Sequence, residues 1–262
     1  MRGIVRDCIA ELFDRKIIYV FAAVALFGIL STVASRSMEI HFQGNMVGMG
    51  GMNEALGNPI IKGFNFYMSM LVFIAVMSTA GLIPNMLARG RADFFLSKPI
   101  SRASLLLSKV FGIWIIYGGV MFACFIVNYV VACVVYGMFD AEIIYVIVMS
   151  QLVFLIWLSV TVFVGIITGS NAFSIIAAFL VWLAQSVLTF HDGIKRFIDS
   201  ETAGYVIDTL YYIFPKPNEM SDMAVRLATG NSVQSWIPLY SSLVFAAVLF
   251  YAAIQVFRRK SY

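Results

Sequence analysis

The side chains that could carry out catalysis are few in this sequence and far apart. The two histidines are His41 and His191, and neither belongs to an HExxH pattern or pairs with the serine of a GxSxG pattern. The sequence also lacks GxxxxGKS and GxxxxGKT, either of which would build a phosphate-binding loop for ATP. We therefore expect no catalytic residue, no cofactor and no enzymatic activity in this chain.

Soft metal ligands occur in one segment of the sequence. Met46, Met49 and Met52 follow one another at intervals of three in a glycine-rich stretch, with His41 as the nearby imidazole. Thioether sulfurs bind Cu(I), so a copper site is one interpretation. The alternative is a flexible loop in a methionine-rich chain. Because no cysteine lies nearby, we predict no metal site.

The three cysteines, Cys8, Cys124 and Cys133, do not predict a disulfide. Residues nine apart on a helix fall on opposite faces, which separates Cys124 from Cys133. No CxxC pair is present either, so the cysteines predict no structural metal site.

The composition predicts an all-α polytopic membrane protein. Apolar residues make up 61% of the chain and charged residues 12%, against about 45–50% and about 25% in soluble domains. The net charge of +4 does not indicate nucleic-acid binding, because no solvated basic domain is present. In a membrane protein such an excess reports topology instead.

The spacing of charges divides the chain into six spans. A span needs about 20 apolar residues, because the hydrocarbon core is about 30 Å thick. The run between Glu142 and His191 is long enough for two spans, and Gly169-Ser170-Asn171 predicts a tight turn within it. We therefore predict a single transmembrane domain over residues 1–262, with spans at about 17–35, 64–88, 108–136, 143–168, 171–190 and 237–257.

The distribution of lysine and arginine predicts the orientation. Most basic residues lie in residues 1–16, in the 89–105 connection and at the C-terminus, all on one side of a six-span protein. That side should be cytoplasmic, with both termini inside and the protein in the plasma (inner) membrane. We expect the first span to be retained rather than cleaved as a signal peptide, because 16 residues of mixed charge precede it.

Two segments outside the spans have amphipathic patterns. Residues 1–16 carry apolar side chains at helical spacing and predict a helix in the cytoplasmic interface, or else a frayed leader. Residues 191–236, on the outer side, predict a helix ended by Pro215-Lys216-Pro217 and a second one over 220–229. These outer helices either cap a pathway or rest on the bilayer surface.

The predicted spans contain polar residues but no central charge. Ion-coupled transporters usually keep carboxylates or histidines at membrane depth. The polar side chains here are interpreted as contacts between helices, and comprise Ser78, Thr79, Asn128, Ser159, Thr161, Gln185, Ser186 and Thr189. Asn128, in the middle of its span, is either a structural asparagine or a residue of a substrate pathway.

The 89–105 connection between spans two and three has the character of a docking element. Phe94, Phe95 and Leu96 are apolar residues among charges, Lys98-Pro99 favours an extended turn, and Ser101 is placed to cap the next helix. We predict that a partner docks on this segment through Arg89, Arg91, Asp93, Phe94, Phe95, Leu96, Ser97, Lys98, Pro99 and Arg102.

The same segment resembles a family signature. Leu96-Ser97-Lys98-Pro99-Ile100-Ser101-Arg102, followed by Lys109 and Gly112, is similar to the Leu-Ser-x-Pro-Ile-x-Arg loop of type-2 ABC transporter permeases. Asp93 matches an acidic position where glutamate is commoner. Tyr211-Tyr212-Ile213-Phe214-Pro215 also resembles the aromatic-proline segment of that family.

The resemblance implies a permease subunit of an exporter, which pairs with a second permease subunit as a homo- or heterodimer. It also implies that a separate ATP-binding cassette ATPase docks on the coupling segment. It identifies no substrate. The alternatives are a stand-alone channel or facilitator, and a membrane scaffold for an extracytoplasmic complex. In each case we expect the lipid bilayer to be a partner, and in no case do we expect nucleic acid to be one.

Overall fold

The apolar runs of the sequence fold into helices, because a helix satisfies every backbone N–H and C=O within one segment. The computed structural model describes residues 10–14, 16–43, 59–87, 101–137, 139, 141–190, 193 and 201–260. Within these ranges the chain is helical and has no strand. The helices are α1 (Ile17–Gln43), α2 (Pro59–Thr79), α3 (Leu82–Met86), α4 (Arg102–Tyr136), α5 (Ile144–Thr168), α6 (Asn171–Leu188), α7 (Glu201–Ile213), α8 (Pro217–Ala228) and α9 (Ile237–Arg259).

Six of the helical segments in the described ranges are long and apolar enough to cross a membrane. They are α1, α2 with α3, α4, α5 with the short turn before it, α6 and α9. The predicted number of six such helices is therefore confirmed. Helix α5 packs against α2, α4, α6, α8 and α9, which makes it the centre of the bundle. Helices α1 and α6 keep most of their surface exposed.

Several helices extend beyond the predicted spans. Helix α1 continues to Gln43 rather than 35, and α4 begins at Arg102 rather than 108. At about 1.5 Å per residue, the 35 residues of α4 form a helix about 50 Å long. An apolar run marks the part of a helix that fits the hydrocarbon core, and the helix itself can continue into water.

The local signals at two helix ends act as predicted. Gly169 ends α5 in the left-handed conformation (φ 64°), and α6 begins two residues later. A residue with a Cβ is strained there, so glycine at this position allows the tight turn. The Ser101 side chain accepts a hydrogen bond from the backbone N–H of Ser104, which caps the first turn of α4.

A break interrupts the second long segment just before the described range ends at Leu87. Helix α2 ends at Thr79 and α3 begins at Leu82. The ring of Pro84 would clash with the carbonyl group of Ala80 in a continuous helix, which accounts for the break. Helix α3 nevertheless packs against α5 and buries Leu82, Ile83 and Met86.

The second amphipathic helix begins earlier than predicted and is docked on the bundle. Helix α8 begins at Pro217 rather than 220, since proline is well suited to the first turn of a helix. The helix packs against α5 and α2, and its buried residues include Met220, Met223, Ala224 and Ala228. Helix α8 is therefore docked on the bundle and does not rest on the bilayer surface. Helix α7, in contrast, keeps most of its apolar side chains exposed.

Five of the serine and threonine hydroxyl groups that were predicted to join helices bond within their own helix instead. Thr79, Ser159, Thr161, Ser186 and Thr189 each donate to a carbonyl three or four residues earlier in their own helix. A hydroxyl near its own backbone finds this acceptor without any second helix. Hydrogen bonds between helices come from longer side chains, including those of Trp114, Gln151 and Asn128.

Candidate functional site

One end of the bundle gathers basic side chains and is called the basic end below. It contains the first turns of α4, the last turns of α5 and α9, and the helical turn at residues 10–14. The other end carries α7 and α8. The predicted docking segment joins the bundle at the basic end, since Arg102 is both its last predicted residue and the first residue of α4.

Arg102 and Lys260 form a chain of hydrogen bonds across three helices. The Arg102 guanidinium donates from Nη1 to the backbone carbonyl of Lys260 at 2.6 Å. The Lys260 ammonium in turn donates to the carbonyls of Ile166 and Ile167 near the end of α5, at 2.9 and 3.2 Å. A cation suits this position, because the last carbonyls of a helix carry partial negative charge. The start of α4 is thereby joined to the ends of α9 and α5.

Lys109, two turns further along α4, contacts the N-terminal turn. Its ammonium lies 3.4 Å from the Glu11 carboxylate, and its side chain is only 3% exposed. Leu12, the residue after Glu11, is buried in the core. Lys16 has a positive φ of 57°, and its backbone N–H donates to the Phe13 carbonyl at the point where the chain turns into α1. The pair anchors the residue 10–14 turn to α4.

The described residues at the basic end form a junction between helix ends. Four parts of the chain meet here: the residue 10–14 turn, the start of α4, and the ends of α5 and α9. Among the described residues, no group of three or more His, Cys, Asp or Glu side chains could hold a metal ion. Short polar contacts join the start of α4 to the ends of α9 and α5.

Most of the predicted docking residues lie outside the described ranges. This applies to Arg89, Arg91, Asp93, Phe94, Phe95, Leu96, Ser97, Lys98 and Pro99, and also to Met46, Met49 and Met52. The structure does describe both flanks of the docking segment. On one side α3 is buried against α5, and on the other Arg102 and Lys109 fix α4.

Asn128 occupies a contact between helices, away from the basic end. Its side-chain amide donates to the Ala25 carbonyl in α1 at 3.2 Å, and the residue is 2% exposed. The Tyr67 hydroxyl of α2 donates nearby, to the Cys124 carbonyl at 3.3 Å. These contacts give Asn128 a structural role where α1, α2 and α4 meet. Its predicted role in a pathway stays a prediction.

A second polar cluster, at the opposite end, was not predicted. The Lys216 ammonium donates to Ser241 Oγ at 3.0 Å and lies 4.4 Å from the centre of the Tyr211 ring. Tyr211 donates its hydroxyl to Glu219 at 2.8 Å. Burial lowers the pKa of Lys216, although the Glu219 carboxylate acts in the opposite direction. The cluster fixes the turn between α7 and α8 against α9.

Sequence signals for these contacts are weak. Pro215-Lys216-Pro217 marks a turn but does not indicate that its lysine is buried. Lys260 reads only as one of three basic residues after an apolar helix. Their partners lie on other helices, so spacing along the chain does not reveal them.

One protein family matches nearly the whole length of the chain. Residues 17–261 match the family described as "Protein of unknown function (DUF2705)". The match runs from the first residue of α1 to beyond the last residue of α9, and so includes the complete bundle. No curated protein matches the chain. The description of the family names no activity, so the functional argument rests on the residues of this chain.

Proposed function

The chain belongs to this family of unknown function, and we propose that it is the membrane-spanning permease subunit of an ATP-binding cassette transporter. In this proposal a separate ATPase subunit docks on the 89–105 segment and powers export. The chain supplies no catalytic residue and no cofactor. Its partners are the ATPase, a second permease subunit and the bilayer.

The observation that best supports this proposal is the junction at the basic end. A docking segment can drive a membrane domain only if its movement reaches the spans. The C-terminal part of this segment is tied to α5 and α9 through Arg102 and Lys260, and Lys109, just after the segment, ties α4 to the N-terminal turn. Because α5 is the centre of the bundle, a force on the start of α4 has a direct route into the core.

The orientation follows from the same end of the molecule. Arg102, Lys109, Arg258, Arg259 and Lys260 lie at the basic end, and an excess of lysine and arginine favours the cytoplasmic side. We therefore place the basic end and both termini in the cytoplasm and α7 with α8 outside. This orientation presents the docking segment to a cytoplasmic ATPase.

The test is affinity purification of the protein from native membranes in mild detergent. Wild type should retain an ATP-binding cassette protein, identified by mass spectrometry, together with ATP hydrolysis in the eluate. A Phe94→Asp, Phe95→Asp double variant should lose both while remaining folded, because charges remove the apolar contact of the docking segment. The matched control is Phe139→Asp, which changes an exposed phenylalanine outside the docking segment.

Two results would contradict the proposal. Wild type that retains no ATPase would favour a stand-alone channel or a scaffold. If the Phe139→Asp control lost the ATPase to the same extent as the double variant, the docking segment would not be the ATPase-binding site.

A further inference from the structure

A cavity lies between four helices of the bundle. It has a volume of about 340 Å³ and is enclosed by residues of α2, α5, α6 and α8. Small-molecule sites in proteins occupy about 300–1,000 Å³, so this cavity is large enough for a small ligand. Of the described residues predicted from the sequence to form a site, neither Arg102 nor Asn128 lines it.

The lining of the cavity is aromatic and uncharged. Four of its residues are Phe73, Trp157, Phe179 and Trp182, and no Asp, Glu, Lys or Arg is among the described residues that form it. An ionised ligand would lose its hydration without gaining a partner there, which is costly. Flat aromatic walls instead favour an apolar ligand that contains rings.

The wall formed by α8 is polar. Asn218 and Ser221, in the first turns of that helix, bring an amide and a hydroxyl group to the cavity. Ser150 of α5 also lines it and donates its own hydroxyl to Val146, so its oxygen remains able to accept a hydrogen bond. A ligand with one polar end can thus hydrogen-bond at one side of an otherwise apolar cavity.

Gln185 adds an independent observation on α6. It lies on the same helix face as Ala178 and Trp182, at positions i+7 and i+3, and is only 3% exposed. Neither polar atom of its side chain has a hydrogen-bond partner among the described residues. A buried amide without partners costs about 1–3 kcal/mol in general. Gln185 is not among the residues that line the cavity, but it follows the lining residue Trp182 by one helical turn. A ligand that extends from the cavity along this face of α6 would supply the missing hydrogen bond.

The mouth of the cavity lies on the outer surface of the bundle. Phe73 of α2 and Phe179 and Trp182 of α6 are about half exposed, whereas Val76, Trp157 and Ala178 behind them are buried. The cavity therefore opens between α2 and α6, which are both long and apolar enough to cross a membrane.

We infer that this cavity binds an uncharged amphiphilic small molecule with an aromatic body and one hydrogen-bonding end, taken from the bilayer. The role of that molecule as the transported class rests on the proposed function. The binding site itself depends only on the cavity and its lining.

Photolabelling with benzophenone tests the site, because this probe is uncharged and has two rings and one carbonyl acceptor. The protein is reconstituted with its co-purified ATPase in phospholipid nanodiscs, irradiated, and mapped by peptide mass spectrometry. We expect saturable labelling of cavity residues such as Met77. Excess 4-phenylphenol, which is uncharged and not photoreactive, should remove it.

Two variants and one control locate the binding. Ala178→Trp fills the cavity and Ser69→Phe narrows its rim; both should reduce the labelling about tenfold, equivalent to about 1.4 kcal/mol of binding free energy. Ser69 is exposed, so its variant remains informative if Ala178→Trp does not fold. The control, Ala247→Trp, changes an exposed residue of α9 and should leave the labelling unchanged.

The possible results separate this inference from the proposed function. Labelling spread evenly over exposed residues of α1 and α9, or unaffected by both cavity variants, would overturn the site. If the labelling were lost when the phospholipid content rises, the cavity would bind a lipid acyl chain, and the inference of a small-molecule ligand would be wrong. Retained ATPase without cavity labelling contradicts the site alone, whereas cavity labelling of a protein that never retains an ATPase contradicts the proposed function alone.

Discussion

At the scale of single residues, Asn128 illustrates how the bundle accommodates an amide within a long apolar helix. Its side chain donates to Ala25 in α1, and Gly28 allows α1 to approach closely enough for this contact. A Cβ at Gly28 would lie 2.7 Å from both Asn128 Nδ2 and Tyr67 Cε2. The contact between α1, α2 and α4 therefore depends on the absence of a side chain at this position.

We predict that Gly28→Ala destabilises the protein by about 1–3 kcal/mol, the usual cost of overfilling a packed site. The measurement is thermal unfolding in detergent. Gly119→Ala is the matched control, because it adds the same methyl group within α4 where nothing lies within 4 Å. Equal melting temperatures of the two variants would contradict the close contact.

Lys216 predicts a dependence of stability on pH. Burial lowers the pKa of its ammonium group below the ordinary value of 10.5, so the unfolded chain binds more protons than the folded chain between the two pKa values. Stability must then rise with pH across this window. The Tm of wild type, relative to that of Lys216→Met, should increase as the pH is raised towards 10.5. A difference that stays constant or falls would contradict the buried lysine.

At the scale of elements, the first turns of α4 are the most connected part of the basic end. Ser101 caps the helix, Arg102 donates to Lys260, and Lys109 pairs with Glu11. The last segment of α9 is held in return, since the Lys260 ammonium donates to the end of α5. Helices that are far apart in sequence thus share one junction.

We predict that Arg102→Ala loosens this junction without unfolding the bundle. Hydrogen bonds to charged groups contribute about 1.5–3 kcal/mol, and the loss should appear as faster hydrogen exchange in the last turns of α9. Retention of the ATPase should decrease as well. Arg258→Ala is the control, because that side chain is exposed in the same region. Unchanged exchange in Arg102→Ala would contradict the proposed link.

The sequence predicts those elements whose causes are local. Gly169 and Ser101 act at the positions where their own backbone needs them, and six apolar runs give six long helices. The docking of α8 was not predictable, because its buried face depends on α5 and α2 rather than on its own pattern. The same reason hides the partners of Lys260, and the hydroxyl groups were misjudged because their own backbone lies closer than any second helix.

At the scale of the whole molecule, the two ends of the bundle differ in kind. The basic end joins helix ends through lysine and arginine contacts, whereas the opposite end carries α8 packed into the bundle and the Lys216 cluster. Helix α5 connects them, since it contacts both α9 and α8 and receives Lys260 at its end. In our account a partner acts on the basic end, and α5 carries the movement towards the cavity beneath α8.

The central claim is that an ATPase docks on the segment between the second and third spans, and site-specific photocrosslinking in native membranes tests it most directly. A photoreactive amino acid is placed at Phe95 or, as the control, at exposed Phe139. The account predicts that position 95 crosslinks to an ATP-binding cassette subunit, more strongly when ATP is present, and that position 139 does not. Crosslinks from position 139 to the ATPase, or none from position 95 in a folded protein, would contradict it.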